Sequence, residues 1–163
     1  MNETRTQSTA CEYVCMNNQN DIIDNLIETL KDGQEGFKQA AEAVKDTQLK
    51  SLFEEYSRQR ARFVAELRSQ TQVPSERDSD VSGSAAGALH RGWINLKSAV
   101  TGGDDHAILA ECERGEDSAV DEYKKALNDG LSGPVQDIVS RQYAQIKEAH
   151  DRVKSLRDVT KAS

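Results

Sequence analysis

Two glutamates occupy positions where a helix normally carries apolar side chains. The sequence around them predicts a helix whose core face has residues three or four apart, which is the spacing of one helical face. That face consists of Leu109, Cys112, Glu113, Glu116, Val120, Tyr123 and Leu127. A carboxylate in a low-dielectric interior has to be protonated, paired with a cation or bound to a metal ion, because an unpaired buried charge is too costly. Glu113 and Glu116 therefore predict a polar core site, with all three explanations open.

His150 is the imidazole that we expect to face these glutamates. The turn between the last two predicted helices lies near 131–132, so Glu113 precedes it by about 18 residues and His150 follows it by about 18. Residues equally far from the turn of an antiparallel hairpin lie at the same level. His150 also lies about 40° from the centre of its helix's apolar face, so it can point inward. Carboxylates and imidazoles from facing helices build metal sites in bundles, and the candidate ions are Fe, Mn and Zn.

A polar stripe on the second predicted helix offers a fourth ligand, Glu66. The stripe consists of Glu55, Gln59, Arg62 and Glu66, at i, i+4, i+7 and i+11. Glu66 lies about 20 residues from the turn between the first two helices, so it reaches the level of Glu113 only if successive helices alternate in direction. The alternative is a solvated face with an ion pair between Arg62 and Glu66.

Four more side chains are candidates to cover or support the metal ligands: His90, Trp93, Gln142 and Arg62. His90 and Trp93 belong to a His-Arg-Gly-Trp run in the connecting segment. The alternative for His90 is a boundary histidine bonded to a backbone carbonyl. Gln142 lies on a core face and has to find a hydrogen-bond partner. No catalytic residue follows from these residue types and spacings.

Three glycines lie inside the helices that carry these residues: Gly33, Gly36 and Gly115. Each costs about 1 kcal/mol of helix stability relative to alanine. We expect them to permit close approach of helices or to leave room for a bulky group.

Four long helices and one short helix are needed to position the candidate site. The spacing of apolar residues predicts helices at 21–45, 48–70, 84–100, 104–129 and 134–158. The turns after the first and fourth helices are short, so the long helices form two antiparallel hairpins, an all-α four-helix-bundle plan. The long connection between the hairpins either runs the length of the bundle, as in ferritin-like topology, or folds over one end of an up-down-up-down bundle.

Composition limits the domain organisation and the partners. The chain of 163 residues suits one domain, with a disordered or frayed leader at 1–18 and the bundle at 19–160. Its 28 acidic and 21 basic residues give a net charge of -7 without a dense basic cluster, which argues against nucleic acid. No apolar run approaches the roughly 18 residues of a membrane helix, and the N-terminus lacks the apolar part of a signal peptide. We expect a cytoplasmic protein without a membrane partner, and a homo-oligomer stays open.

Cysteine usage and motif content give no enzyme class. Cys11, Cys15 and Cys112 are an odd count without a CxxC pair, which argues against a disulfide framework or a thiolate zinc site. Free thiols are the simpler interpretation, and a redox role for Cys11 and Cys15 is the alternative. The phosphate-binding GKS/T loop, the GxSxG elbow and the HExxH zinc motif do not occur in the sequence.

Several short runs of the sequence form a recognisable set, at 26–33, 35–37, 87–93, 111–117 and 150–152. The most specific are His-Arg-Gly-Trp and Glu-Arg-Gly-Glu-Asp. Together these runs resemble an uncharacterised bacterial ferritin-like four-helix-bundle family, a domain of unknown function. The resemblance implies a ferritin-like bundle of two helical hairpins joined by a long connection with a short helix. It supplies no reaction.

The chain departs from di-iron carboxylate bundles, which carry Glu-x-x-His on two helices. Glu148 lies only two residues before His150, and the second predicted helix has no histidine. We therefore keep two hypotheses. The first is a ferritin-like bundle protein that binds a divalent metal through core carboxylates and histidine. The second is a non-catalytic helical module for oligomerisation or partner binding, in which the inward polar groups only fix helix register.

Overall fold

The described part of the chain is entirely helical apart from turns. A computed structural model describes residues 6–71, 93 and 96–161, with side chains from residue 18 onward except Ser98. These residues form five helices and no strand, which confirms the predicted all-α class. The helices are α1 Thr6–Ala43, α2 Thr47–Arg68, α3 Leu96–Gly102, α4 Asp105–Asn128 and α5 Gly133–Val159.

The boundaries of the four long helices agree with the predicted ones except at the start of α1. Helices α2, α4 and α5 begin and end within two residues of the prediction. Helix α1 begins at Thr6 rather than near Asp21, so much of the expected leader has a helical backbone. No glycine or proline precedes Gly33, so no local breaker stops the helix from extending toward the N-terminus. The division into a leader at 1–18 and a domain at 19–160 stays a prediction.

Capping residues mark the start of α2 and the end of α4 at the positions that the sequence predicts. The Asp46 side chain accepts hydrogen bonds from the backbone N–H groups of Gln48, at 2.7 Å, and Leu49, at 3.1 Å, and so caps α2. Gly130, two residues after the end of α4, has a φ of 90° that side-chain-bearing residues rarely adopt. The predicted connecting helix at 84–100 corresponds to α3, and its part before residue 96 lies outside the described residues except for Trp93.

The four long helices pack side by side as two hairpins. Helix α1 pairs with α2 and helix α4 with α5; in addition α1 contacts α4, α2 contacts α5, and the short α3 lies against α1 and α4. One group of buried apolar residues includes Leu30, Phe63 and Ile146, and a second includes Phe37 and Leu109. None of the described helices combines the length and apolar character needed to cross a membrane.

Two contacts at opposite ends establish the helix directions. The Asp105 carboxylate at the start of α4 accepts hydrogen bonds from the backbone N–H groups of Lys45, at 2.9 Å, and Asp46, at 3.1 Å. At the other end, Gln19 Oε1 accepts from the Ser132 backbone N–H at 3.2 Å. Helix α4 therefore starts where α1 ends, runs antiparallel to α1 and runs in the same direction as α2. The connection between α2 and α4 joins opposite ends of the packed helices.

Candidate metal centre

Glu116 is fully buried and forms an ion pair with Arg60 of helix α2. The two residues meet because α2 and α4 run in the same direction, which places them at similar distances from the starts of their helices. The Arg60 guanidinium also lies 5.6 Å from the centre of the Phe37 ring and 5.9 Å from that of Phe63. Burial raises the pKa of Glu116, and the Arg60 charge opposes that rise. Glu116, predicted as a metal ligand, is thus a carboxylate whose buried charge is balanced by an arginine.

The Arg60–Glu116 pair belongs to a polar layer that crosses from α2 to α5. Arg60 donates through Nη1 to Gln59 Oε1, and Gln59 Nε2 donates to Gln145 Oε1 at 3.3 Å. Arg60 Nε and Glu116 Oε1 are buried and have no hydrogen-bond partner among the described residues. Burial, together with the nearby Glu116 charge, raises the pKa of Tyr56 to about 12. The layer is therefore polar and charged, but its central carboxylate already has a counter-ion.

Glu113, Asp117 and His150 form a separate cluster between α4 and α5. One ligand atom from each lies within 4.8 Å of the other two. Glu113 and Asp117 are one helical turn apart on α4, and His150 comes from the facing helix, as the equal distances from the turn predict. His150 Nε2 lies 2.8 Å from Asp117 Oδ1. Two of the four predicted ligands, Glu113 and His150, therefore lie together, and Asp117 completes a set of three.

The two ring nitrogens of His150 both face carboxylate oxygens. Nδ1 lies 3.0 Å from Asp151 Oδ1, opposite the contact between Nε2 and Asp117. A neutral imidazole carries one N–H, so it can donate to only one of these carboxylates. Its second nitrogen would then point a lone pair at an anion, unless a proton or a metal ion lies between them. A carboxylate on Nδ1 is also the usual device that orients a metal-binding histidine, which fits Asp151.

Glu113 is paired with a second arginine, Arg157, near the end of α5. Arg157 also donates to Asp158 Oδ1, through Nη2 at 2.6 Å and through Nε at 3.1 Å. The side chain of Glu113 is about nine-tenths buried, whereas that of Asp158 is more than half exposed. The guanidinium therefore bridges one buried carboxylate and one exposed carboxylate.

Glu66, the fourth predicted ligand, lies away from this cluster. Because α2 and α4 run in the same direction, Glu66 near the end of α2 lies toward the end of α4, by Tyr123. It accepts hydrogen bonds from Gln142 Nε2 at 2.8 Å and from Arg141 Nη1 at 3.1 Å. These bonds, that of Gln142 foremost, lower the pKa of Glu66. The structure does not bring Glu66 together with Glu113 and His150, and its metal assignment, which depended on alternating helix directions, stays a prediction without support from these contacts.

Gln142 is buried and uses both ends of its amide, as a core amide must. Its Oε1 accepts from the Tyr123 hydroxyl at 2.8 Å, and its Nε2 donates to Glu66 and to the Phe63 carbonyl, at 3.3 Å. Gln142 therefore links α2, α4 and α5 in a network apart from the metal candidate. Its partners lie at the level of Tyr123, so the expectation that it supports the metal ligands stays a prediction without support from these contacts.

Trp93 occupies a slot between α1 and α4 that two of the noted glycines create. A Cβ atom at Gly36 would lie 2.3 Å from the Trp93 ring, and a Cβ at Gly115 would lie 2.2 Å from it. The indole also packs edge-on against Phe37, with ring centres 5.4 Å apart. The expectation of room for a bulky group is thus confirmed at Gly36 and Gly115. A Cβ atom at Gly33 would lie 3.7 Å from the Arg60 side chain, which is an ordinary van der Waals distance.

Two covering candidates remain, Arg62 and His90, and their assignment stays a prediction. Arg62 is exposed on α2, and His90 lies outside the described residues. The structure instead adds Arg60, Asp117 and Arg157. Arg60 lies between Tyr56 and Phe63 at the 3–4 spacing of the buried face of α2, so the sequence could have identified it. Asp117 lies four residues after Glu113, which is also a spacing that places two residues on the same helix face. No comparable spacing identified Arg157, because its role depends on how α5 packs against α4.

Comparison with protein families matches most of the chain to one family. Residues 19–129 match the family described as "Domain of unknown function (DUF2383)". The chain belongs to this family. Comparison with curated proteins finds no match. The part that matches the family contains Arg60, Glu113 and Asp117 but ends before α5, so His150 and Arg157 lie beyond it.

Proposed function

We propose that this chain is a ferritin-like four-helix bundle that binds one divalent metal ion through Glu113, Asp117 and His150. The observation that carries the proposal is that three ligand atoms lie within 4.8 Å of one another, with His150 Nε2 facing a carboxylate. Metal–ligand bonds of about 2.0–2.2 Å allow ligand atoms to lie up to about 4.4 Å apart, so side-chain adjustments of a few tenths of an ångström would suffice. Two carboxylates and one imidazole suit Zn(II), Mn(II) or Fe(II).

The ferritin-like assignment is supported by the order of helix directions. Relative to α1, helix α2 runs in the opposite direction, α4 runs with α2, and α5 returns in the direction of α1. Bundles of the ferritin type have one long crossover connection between their two hairpins. The segment between α2 and α4, which joins opposite ends of the packed helices, fits that role.

The proposed ion differs from the di-iron centre of carboxylate bundles. The central carboxylate, Glu116, is balanced by Arg60, which leaves no need for metal charge at that point. The cluster lies at one edge of the α4–α5 hairpin, where the Asp117 side chain is exposed. Three protein ligands would leave coordination positions for water. We therefore infer a single-ion site rather than the paired metal ions of oxygen-activating bundles.

The alternative of an oligomerisation or partner-binding module has weaker support from the described surface. Val159, 75% exposed, is the one large apolar side chain that is exposed among residues 18–71, 93 and 96–161. An apolar docking face would need several such side chains together. Metal binding is therefore the function that the geometry supports best.

Metal titration of chelator-treated full-length protein tests the proposal. We expect Zn(II), Mn(II) or Fe(II) to bind in a calorimetric titration and to raise the melting temperature, because a ligand that binds only the folded state stabilises it. His150→Ala and Asp117→Asn should weaken both effects. Affinity should fall at lower pH, since a protonated imidazole cannot coordinate a metal.

Asp121→Asn is the matched control. Asp121 is an exposed carboxylate one turn after Asp117 on α4 and lies outside the cluster. Its loss should leave the binding unchanged. A wild-type protein that binds none of the three ions, or an Asp121→Asn variant as impaired as Asp117→Asn, would contradict the proposed site.

A further inference from the structure

The cluster contains a cation of its own in the form of the Arg157 guanidinium. This positive group is paired with Glu113, which is one of the three proposed ligands. A metal ion that takes Glu113 as a ligand competes with the guanidinium for the charge of this carboxylate. We propose that Arg157 is a resident competitor that occupies the metal site in the metal-free protein and sets its affinity for divalent ions. The inference rests on the proposed function, because it concerns the regulation of the same site.

The first argument is the burial of Glu113. Its side chain is only 10% exposed, so its charge requires a cation in the metal-free protein. Arg157 supplies that cation from the last turn of α5. Since an arginine stays protonated at every relevant pH, the competitor is present under all conditions in which the metal could bind.

The second argument is the alternative partner of Arg157. When a metal ion takes Glu113, the guanidinium still has Asp158 within reach, since Asp158 Oδ1 already accepts from it at 2.6 and 3.1 Å. The displaced charge therefore moves toward an exposed carboxylate rather than into an apolar environment. Glu113 therefore has a cationic partner both in the metal-free protein, where it is Arg157, and in the metal-bound protein, where it is the metal ion.

The third argument is that the end of α5 is held in place. His106 Nδ1 lies 2.8 Å from the Thr160 carbonyl oxygen, which ties the residue after α5 to the start of α4. The exchange can therefore be a rotation of the Arg157 side chain alone.

Removal of the competing charge should tighten metal binding. We expect full-length Arg157→Gln to bind Zn(II) at least about tenfold more tightly than the wild type, a change of the size seen when groups around metal ligands are altered. Arg157→Lys keeps a positive charge and should bind much closer to the wild type. Asp158→Asn should weaken binding, because the released guanidinium then lacks its exposed partner. Arg152→Gln, which removes an exposed arginine from the same helix, is the control and should match the wild type.

The outcomes separate this inference from the proposed function. If the wild type and Arg157→Gln bind Zn(II) equally well, the competitor role is overturned while the metal site stands. If Arg157→Lys or Arg152→Gln tightens binding as much as Arg157→Gln, the effect is not competition for Glu113 and the inference also falls. If neither the wild type nor Arg157→Gln binds Zn(II), both proposals fail. Circular dichroism of each variant shows that the helices are intact before titration.

Discussion

At the scale of single residues, the acidic core face of α4 is balanced from two sides. Glu116 meets Arg60 of α2, and Glu113 meets Arg157 of α5. The helix can therefore bury two carboxylates three residues apart without the charges being left unpaired. Each carboxylate therefore depends on its arginine, since removing one partner of a buried pair destabilises the fold much more than replacing both partners by apolar residues.

Replacement of Arg60 by methionine should destabilise the fold in a pH-dependent way. Arg60→Met leaves Glu116 buried without a cation, for which we expect a loss of about 3–5 kcal/mol in the free energy of unfolding at neutral pH. Burial raises the pKa of Glu116, and the variant lacks the charge that opposes that rise. A carboxyl group whose pKa is higher in the folded than in the unfolded state stabilises the fold fully below its unfolded-state pKa. This stabilisation is lost as the pH rises through the folded-state pKa. The destabilisation should therefore be larger at about pH 8 than at about pH 5 in urea unfolding.

The double variant separates the ion pair from simple packing. Arg60→Met combined with Glu116→Met removes both charges and keeps apolar volume, so most of the lost stability should return. A double variant less stable than Arg60→Met alone would contradict the assignment of Glu116 as the paired charge. For the same reason Glu116→Gln should destabilise the wild type, because it leaves the Arg60 guanidinium buried without an anion.

At the scale of elements, α4 is the helix on which the other features depend. It carries the buried glutamates Glu111, Glu113 and Glu116, contacts α1, α3 and α5, and contributes one wall of the Trp93 slot through Gly115. Glycine lowers helix stability, so its presence there reflects the space that the indole needs. Burial raises the pKa of the Cys112 thiol on the same helix well above its ordinary value, so this cysteine is not a ready nucleophile.

A methyl group at Gly115 should disturb the contact of α4 with Trp93. In Gly115→Ala the new Cβ would lie 2.2 Å from the ring, and overpacking of this kind costs about 1–3 kcal/mol. That cost exceeds the gain of up to about 1 kcal/mol from better helix propensity. Trp93 is the single tryptophan of the chain, so its fluorescence should shift in Gly115→Ala, together with a lower urea midpoint.

Gly102→Ala is the matched control for that experiment. Gly102 ends α3, and a Cβ there would have no atom of the described residues within 4 Å apart from its chain neighbours and the backbone of its own helix. The control should be neutral or slightly stabilising and should leave the tryptophan spectrum unchanged. A Gly115→Ala variant that behaves like Gly102→Ala would mean that the indole does not fill the slot.

At the scale of the whole molecule, the direction of α4 decides which residues share a level. Spin labels on cysteines introduced at Gln48, Thr101 and Ser132, with the native cysteines replaced, test this direction. The 48–132 distance should exceed the 48–101 distance, because the 24 residues of α4 extend over about 36 Å. An up-down-up-down arrangement predicts the reverse order of the two distances, and that result would overturn the proposed ferritin-like topology.

The sequence by itself determined the features that depend on local periodicity. The ranges of α2, α4 and α5, the burial of Glu113, Glu116 and Gln142, and the opposition of Glu113 to His150 all follow from 3–4 spacing and a short turn. These features are local because a helix repeats every 3.6 residues and a short turn allows only antiparallel neighbours.

Only the tertiary structure decided which charges meet across the long connection. A connection of this length carries no periodic signal that gives the direction of the next helix, so the sequence left both topologies open. Once α4 runs with α2, Arg60 rather than Glu66 lies beside Glu116, and Glu66 pairs with Gln142 and Arg141 instead. The partners of a buried charge depend on helix direction and level, which are properties of the packed helices and not of any one segment.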